Sequence, residues 1–343
     1  MKCISIVSTQ LQLLNCIEFV CQNNITDHTL LIHAASEKRL IQMKKVLQLP
    51  YVACKIQKTF FLLAYGRGRG YIRTLYNRAR VRALFVMTHY DYCVICNYHN
   101  IAHRNLYRLA SSNPNTQLVH LDDGLAIADC VELRKKELEC GKPELVCSRS
   151  DKYLYNYYIN KYVPKSIMFF TPYKVNVADV DRYVKNDYSY LKAQILLDNS
   201  VNLSNAPVII LGQPIVAYGL LTKQQYSNCI ERVLDSYGIS EGPYMYLPHP
   251  VEDVTSSLEK RVANKITLFK SGLPFELLCT TINADALVMG FYTAALSCIK
   301  IFDIKCRVCA MHPQYNYKDE EERHVIETAY LYLRQIGINE IFI

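Results

Sequence analysis

Cys3-Ile4-Ser5-Ile6-Val7, then Ser8-Thr9-Gln10, then Leu11 to Cys21 with apolar residues at helical spacing: this opening reads as a short buried strand feeding a helix, and the rest of the chain extends that pattern. Leu30-Leu31-Ile32-His33 is the next strand, and Glu37 to Leu47 is a helix ending near Pro50. Ala83 to Thr88, Tyr92 to Ile95 and Gln117 to Leu121 follow as further strands. Strands alternating with helices indicate parallel sheets with helices on both faces, because a parallel pair needs a crossover long enough to hold a helix. The polar stretch Asp198-Asn199-Ser200-Val201-Asn202-Leu203-Ser204-Asn205 reads as a linker to a second such unit. There Val208-Ile209-Ile210-Leu211 is a strand ending in Gly212-Gln213-Pro214, Gln224 to Tyr237 a helix and Tyr244 to Leu247 a strand. Leu273 to Thr281 reads as a helix, Ala286 to Met289 as a strand, Thr293 to Cys298 as a helix and Ile299 to Ile301 as one more strand. Lys318 to Gln335 is helical, with Glu320, Glu321 and Glu322 near its N-terminal end, where the helix dipole favours acid. The expectation is two α/β domains, 1–200 and 205–343, with ligands held outside the carboxyl ends of the strands.

The 343 residues are 50% hydrophobic and 20% charged, which excludes a disordered or fibrous chain. No charged-then-apolar signal segment precedes Met1-Lys2-Cys3-Ile4, and no uncharged apolar run reaches membrane-spanning length. A cytoplasmic protein is therefore expected, its 14 cysteines reduced and, at Cys3, Cys16, Cys21 and Cys279, serving as small buried hydrophobes. The pairs Cys93-x-x-Cys96 and Cys306-x-x-Cys309 have zinc-ligand spacing. On a strand, positions three apart point to opposite faces, so no metal is expected there. Lys and Arg number 39 against 31 Asp and Glu, a net charge of +8 that favours an anionic partner. Gly66-Arg67-Gly68-Arg69-Gly70 lacks the spacing of a dinucleotide fingerprint and opens a stretch with Arg73, Arg78, Arg80 and Arg82. Two readings of it stay open: an anion- or membrane-facing helix, and a solvated basic face after a loop.

Three motifs sit at strand ends. Leu121-Asp122-Asp123-Gly124 follows a strand, and one acid of such a pair can face a ligand while the other is tied into the turn; a plain Asp-Gly turn is the competing reading. Tyr246-Leu247-Pro248-His249-Pro250 ends a strand with a histidine held between two prolines, suited to donating a hydrogen bond to a phosphate that gains charge. Leu273-Pro274-Phe275-Glu276-Leu277-Leu278 embeds an acid in an apolar segment, and Gly290-Phe291-Tyr292-Thr293 puts a hydroxyl near a helix start that could cradle a phosphate or simply cap the helix. His312-Pro313 repeats the dipeptide without a preceding strand and is read as structural.

Taken in this order, the motifs resemble the bacterial sialyltransferases of GT-B fold, and Ser8-Thr9-Gln10-Leu11-Gln12-Leu13-Leu14-Asn15 is similar to the opening signature of glycosyltransferase family 52, the lipooligosaccharide sialyltransferases. The resemblance runs from residue 8 to about residue 298. It implies two Rossmann-like domains facing each other across a cleft, the first holding the acceptor and the base, the second the donor, with the C-terminal helix packing back on the first. It further implies a metal-independent, inverting transfer of N-acetylneuraminic acid from CMP-Neu5Ac to a galactoside hydroxyl of a lipooligosaccharide or capsule. Asp122 would be the general base, with Asp123 as the fallback. His249 would assist departure of CMP, Glu276 would hold the ribose hydroxyls, and Tyr292 with Thr293 would occupy the phosphate motif. Gly212, Gln213 and Pro250 complete the expected donor site, and Asn97, His99 and His103 are the expected acceptor contacts. The chain departs from the pattern at Leu247, where relatives often have lysine, and at Tyr292-Thr293 in place of a serine pair; phosphate neutralisation is then expected from Lys223 or from backbone amides. No cofactor is implied, since CMP carries a single phosphate. Peripheral contact with the inner face of the bacterial cytoplasmic membrane is expected through Arg67 to Arg82, no nucleic acid is expected, and a homodimer is allowed. The alternatives are a related transferase using CMP-Kdo or a UDP-sugar, and a nucleic-acid-binding protein with a basic helix.

Overall fold

Seven strands form the first sheet: β1 (Lys2–Val7), β2 (Asp27–Ala34), β3 (Lys58–Leu63), β4 (Tyr92–Ile95), β5 (Gln117–Leu121), β6 (Met168–Thr171) and β7 (Arg182–Lys185). They come from a computed structural model that describes residues 1–34, 36–63, 70–142, 162–195, 203, 205–239, 242–269 and 271–343. Every pairing is parallel and the order is β3-β2-β1-β4-β5-β6-β7. The chain winds outward from β1 to β3, returns to β4 and winds the other way, so the loops after β1 and β4 leave on opposite faces and open a crevice at the strands' carboxyl ends. The central strands are buried on both faces, which is why they read as unbroken apolar runs rather than alternating ones.

The second sheet repeats the plan with β8 (Val208–Leu211), β9 (Tyr244–Leu247), β10 (Ile266–Leu268), β11 (Leu287–Gly290), β12 (Arg307–His312) and β13 (Asn339–Phe342). Its order is β10-β9-β8-β11-β12-β13, again all parallel, with the reversal between β8 and β11. The chain divides into two compact units, Met1–Gln194 and Ile195–Ile343, each built around one of the sheets. The helix Glu320–Gln335 belongs to the second, where Tyr330 donates its hydroxyl to the Met311 carbonyl at 2.5 Å. Among the described residues no helix is long and apolar enough to cross a membrane.

Four expected elements differ. Ala83 to Thr88 is the last turn and end of the helix Gly70–Met87, not a strand. Leu273 to Thr281 is two single 3-10 turns, Phe275–Leu277 and Cys279–Thr281, because the Thr281 hydroxyl bonds back to the Leu278 carbonyl at 2.9 Å and ends the winding. Ile299 to Ile301 continues the helix Ala294–Ile301; nothing stops that helix before Asp303, whose φ of 56° is left-handed. His312 does end a strand, β12, and its ring stacks on Tyr330 at 3.9 Å between the carboxylates of Glu340 and Glu327. Gly66 to Arg69 and most of the expected linker lie outside the described residues.

Candidate functional site

At the end of β5 the two acids of Asp122-Asp123 have different surroundings. Asp122 is 1% exposed. Its Oδ2 accepts from the Gly124 N–H at 3.3 Å, and Asn15 Nδ2, from the first helix, donates to its carbonyl at 3.1 Å. Gly124 makes that return with a φ of 72°, open to glycine at no steric cost. Burial, followed by the nearby charge of Asp123 against the stabilising Gly124 N–H, pushes Asp122 up to about 7. Asp123 is half-buried. Its Oδ1 accepts from the Thr9 hydroxyl at 3.3 Å. Burial raises its pKa too, while Gln12, Thr9 and the charge of Arg39 pull the other way. The pair is thus one anchored acid that tends to keep its proton beside one reachable acid with partners for its ionised form.

The loop after β1 supplies those partners. Thr9 caps the helix Gln10–Gln22, accepting from the Gln12 N–H, while Ser8 donates its N–H to Gln12 Oε1 at 2.6 Å. Ser8 Oγ lies 3.0 Å from His103 Nε2. Because His103 Nδ1 accepts from the Cys96 N–H at 3.3 Å, the proton sits on Nε2, which donates to Ser8. Burial pushes His103 well below the usual histidine range, so this neutral form persists. His103 is 0% exposed and reaches the crevice through Ser8 rather than meeting an acceptor directly.

Asn97 and His99 flank Tyr98, which is buried and pinned: its hydroxyl donates to Glu137 Oε2 at 2.7 Å, and Arg104 lies over its ring at 4.0 Å while forking onto Glu137 at 3.0 Å. That buried anchor leaves His99 exposed and Asn97 half-buried at the carboxyl end of β4. Asn97 Oδ1 already accepts from the Asn100 N–H at 3.0 Å.

In the second unit, the turn after β9 is organised by a residue that the sequence motifs do not single out. Glu252 Oε2 accepts from the His249 N–H at 3.1 Å, and its Oε1 accepts from the Tyr246 hydroxyl at 2.5 Å, which in turn lies 2.9 Å from the Tyr226 hydroxyl. Burial raises Glu252 against these hydrogen bonds. Gly212, at the end of β8, makes room for this: a Cβ there would collide with Glu252 Oε2 and stand 2.6 Å from the Tyr246 hydroxyl. The Gln213 N–H donates to Tyr226 at 3.3 Å, so β8 and β9 share one hydroxyl network. His249 and Pro250 are exposed. His249 Nδ1 accepts from the Val251 N–H at 3.4 Å, which leaves the ring's other nitrogen to carry its proton. Lys223 donates to the Thr255 carbonyl at 2.9 Å.

After β11, Thr293 caps the helix Ala294–Ile301 by accepting from the Ala295 N–H at 3.3 Å, which keeps its own hydroxyl proton for another acceptor. Tyr292 is held edge-on by Tyr315 and Tyr330 at 5.7 and 6.0 Å. Glu276 is 6% exposed, its pKa raised by burial, with the Cys298 thiol 3.7 Å from its Oε1. Among the described residues every cysteine is a free thiol and no cluster of metal-ligating side chains occurs. One Asp-x-Asp triplet, Asp179-Val180-Asp181, occurs in the sequence. Arg134 forks onto Asp181 at 3.0 and 3.1 Å and the Ile167 N–H donates to it at 2.8 Å, a structural use that joins β6 to the helix Ile127–Cys140.

Three comparisons bear on this site. A family model described as alpha-2,8-polysialyltransferase (POLYST) matches residues 4–309. No curated protein matches the chain. Among solved structures, TcCGT1 in complex with UDP is similar at 10% identity with a TM-score of 0.54, covering 100% of this chain and 85% of that one. UDP-GlcNAc 2-epimerase from Neisseria meningitidis bound to UDP-GlcNAc is similar at 13% identity with a TM-score of 0.50, covering 99% and 95%. Together with the two parallel sheets, these likenesses show the fold: α/β, of the GT-B class with two Rossmann-like units.

Proposed function

The chain belongs to the alpha-2,8-polysialyltransferase family, a family of sialyltransferases among the glycosyltransferases, and from that premise we propose that it moves N-acetylneuraminic acid from CMP-N-acetylneuraminate to a hydroxyl of a sialic acid-terminated glycan, inverting the anomeric carbon. The α2,8 linkage in the family description supports a sialic acid acceptor in place of the galactoside expected from the lipooligosaccharide resemblance. The observation that carries the reading is the divided acid pair after β5: Asp122 buried with a pKa pushed to about 7, Asp123 reachable.

A base must come within hydrogen-bond reach of the proton it removes. Asp123 meets that condition from solvent, and Asp122 backs it, its retained proton sparing Asp123 a second full negative charge alongside. The acceptor oxygen attacks the anomeric carbon, its proton passes to Asp123, and the bond from that carbon to the phosphate oxygen breaks. CMP leaves with the bonding pair. The developing charge is met by the outer N–H of His249, the free hydroxyl proton of Thr293 and the N–H groups at the start of the helix Ala294–Ile301. Glu252 fixes the backbone from which His249 projects. Glu276 serves the ribose, and Asn97 and His99 the acceptor. No step in this scheme calls for a metal or cofactor.

The test is CMP release from CMP-N-acetylneuraminate with sialylated and galactoside acceptors side by side, with product linkage read by methylation analysis. Release stimulated by the sialylated acceptor with an α2,8 product is the expected result. Stimulation by the galactoside alone would overturn the acceptor, and release only from CMP-Kdo or a UDP-sugar would overturn the donor.

A further inference from the structure

Ser8 stands between two histidines that different strands supply. β1 pairs with β2 so that Val7 lies opposite Ile32, which brings the next residue of each, Ser8 and His33, side by side at the sheet's carboxyl end. His103 comes from the helix Ile101–Ala110 after β4. Ser8 Oγ is 3.0 Å from His103 Nε2 and 3.4 Å from His33 Nδ1, and the two rings meet edge-on with centroids 6.1 Å apart.

The direction of hydrogen bonding along this row follows from its protons. The Cys96 N–H occupies His103 Nδ1, so His103 donates through Nε2 to Ser8. Ser8 then has one hydroxyl proton to place, and among the described residues the acceptor facing it is His33 Nδ1. A proton on that nitrogen would leave the serine proton without an acceptor in a part-buried setting, which costs free energy. The proton of His33 is therefore on Nε2, for which no partner occurs among the described residues. Burial lowers the pKa of His33 and of His103, so both rings are neutral at pH 7 and the row keeps its direction.

The row ends beside the acid pair. Thr9 follows Ser8 and donates its hydroxyl to Asp123 Oδ1 at 3.3 Å, so one dipeptide carries the histidine row on its first residue and the reachable acid on its second. With Nδ1 occupied, the tip of half-buried His33 can donate and cannot accept. Such a tip suits a group that only accepts, a carboxylate, better than a hydroxyl. Arg39, exposed on the helix Glu37–Leu47, brings a positive charge that acts on Asp123 and offsets its repulsion of a second anion.

Resting on the sialic acid acceptor proposed above, we infer that His33 is an acceptor-binding residue: its Nε2 N–H donates to the carboxylate of the acceptor's terminal sugar and so turns the attacking hydroxyl of that sugar toward Asp123. A galactoside has no such carboxylate, and the contact favours the sialylated acceptor over it. Ser8 and His103 set which nitrogen of His33 faces outward.

The experiment is calorimetric titration of the full chain, which needs no turnover, with an α2,8-linked sialic acid trimer and with the same trimer after its carboxyl groups are reduced to alcohols. Wild type, His33→Ala and His33→Gln are compared, and imidazole nitrogen NMR reads the tautomer of His33 in wild type. Reduction of the trimer weakens binding to wild type by about 10- to 100-fold and to His33→Ala by at most about threefold. His33→Gln, whose amide N–H reaches the place of Nε2, binds the native trimer within about fivefold of wild type. NMR shows the His33 proton on Nε2, a result that does not depend on any variant folding. A proton on Nδ1 would overturn the proposal. Equal sensitivity of wild type and His33→Ala to carboxyl reduction would overturn this contact alone, whereas failure of wild type to bind either trimer would overturn the sialic acid acceptor and the contact with it.

Discussion

The turn after β5 and the turn after β9 sit at equivalent ends of two sheets built on one plan, yet they prepare their side chains by different means. Asp122-Asp123 is tuned by burial: removal from water raises both acids, and each has its own partners against that rise, a glycine N–H at Asp122 and a threonine and a glutamine at Asp123. His249 is tuned by aim: the ring is exposed, and what is buried is the Glu252–Tyr246–Tyr226 network that holds its backbone. A group that must change protonation gains from a low-dielectric setting, whereas one that must reach a departing phosphate gains from a rigid base and an open tip.

That contrast can be broken where it is strongest. Replacing His249 by alanine removes the aimed donor and should lower kcat by about 10²- to 10³-fold with little change in folding stability, since the side chain is exposed. A loss confined to KM would show that the ring binds ground state and transition state alike. The burial half is tested by stability against pH. Asp122 binds its proton more tightly folded than unfolded, so its contribution is fully present below pH about 4 and lost as pH rises through about 7. Asp122→Asn should therefore unfold at higher denaturant than wild type at pH 8, by at most about 4 kcal/mol, and the gap should close by pH 4. A constant difference across that range would mean that Asp122 is ionised in the folded protein. The smallest effect expected is that of Glu252→Gln, which keeps an acceptor for the His249 N–H and the size of the side chain but removes the charge. We expect about a tenfold fall in kcat with donor KM unchanged, read by initial rates of CMP release.

Much of the fold could be read from the sequence because its central strands are buried on both faces, and Cys3 to Val7, Val208 to Leu211 and Gln117 to Leu121 announce themselves as apolar runs. Edge strands such as β3 and β7 carry charge and do not. Ala83 to Met87 misleads for a physical reason: the helix is apolar on its outward side, so the contrast between faces that marks a helical period is erased. The residue types at the site were equally legible, at the ends of the strands where such folds bind ligands. Which acid is reachable was not, because access is set by the packing of Asn15 and Gly124 around Asp122. Glu252 stands three residues after His249, yet nothing in the motif marks it, because its importance rests on the bare Cα of Gly212, contributed by another strand. The place of His103 after β4 suggests an acceptor contact, but its reach is spent on Cys96 and Ser8.

The most direct test of the account is acceptor-stimulated CMP release from CMP-N-acetylneuraminate by Asp123→Asn and Asp122→Asn, measured in parallel at pH 7. We predict that Asp123→Asn lowers kcat by about 10²- to 10⁴-fold while Asp122→Asn, which keeps a neutral group in the buried position, retains activity within about tenfold of wild type. The reverse order, with Asp122→Asn inactive and Asp123→Asn active, would contradict the division of the pair and make the buried acid the base.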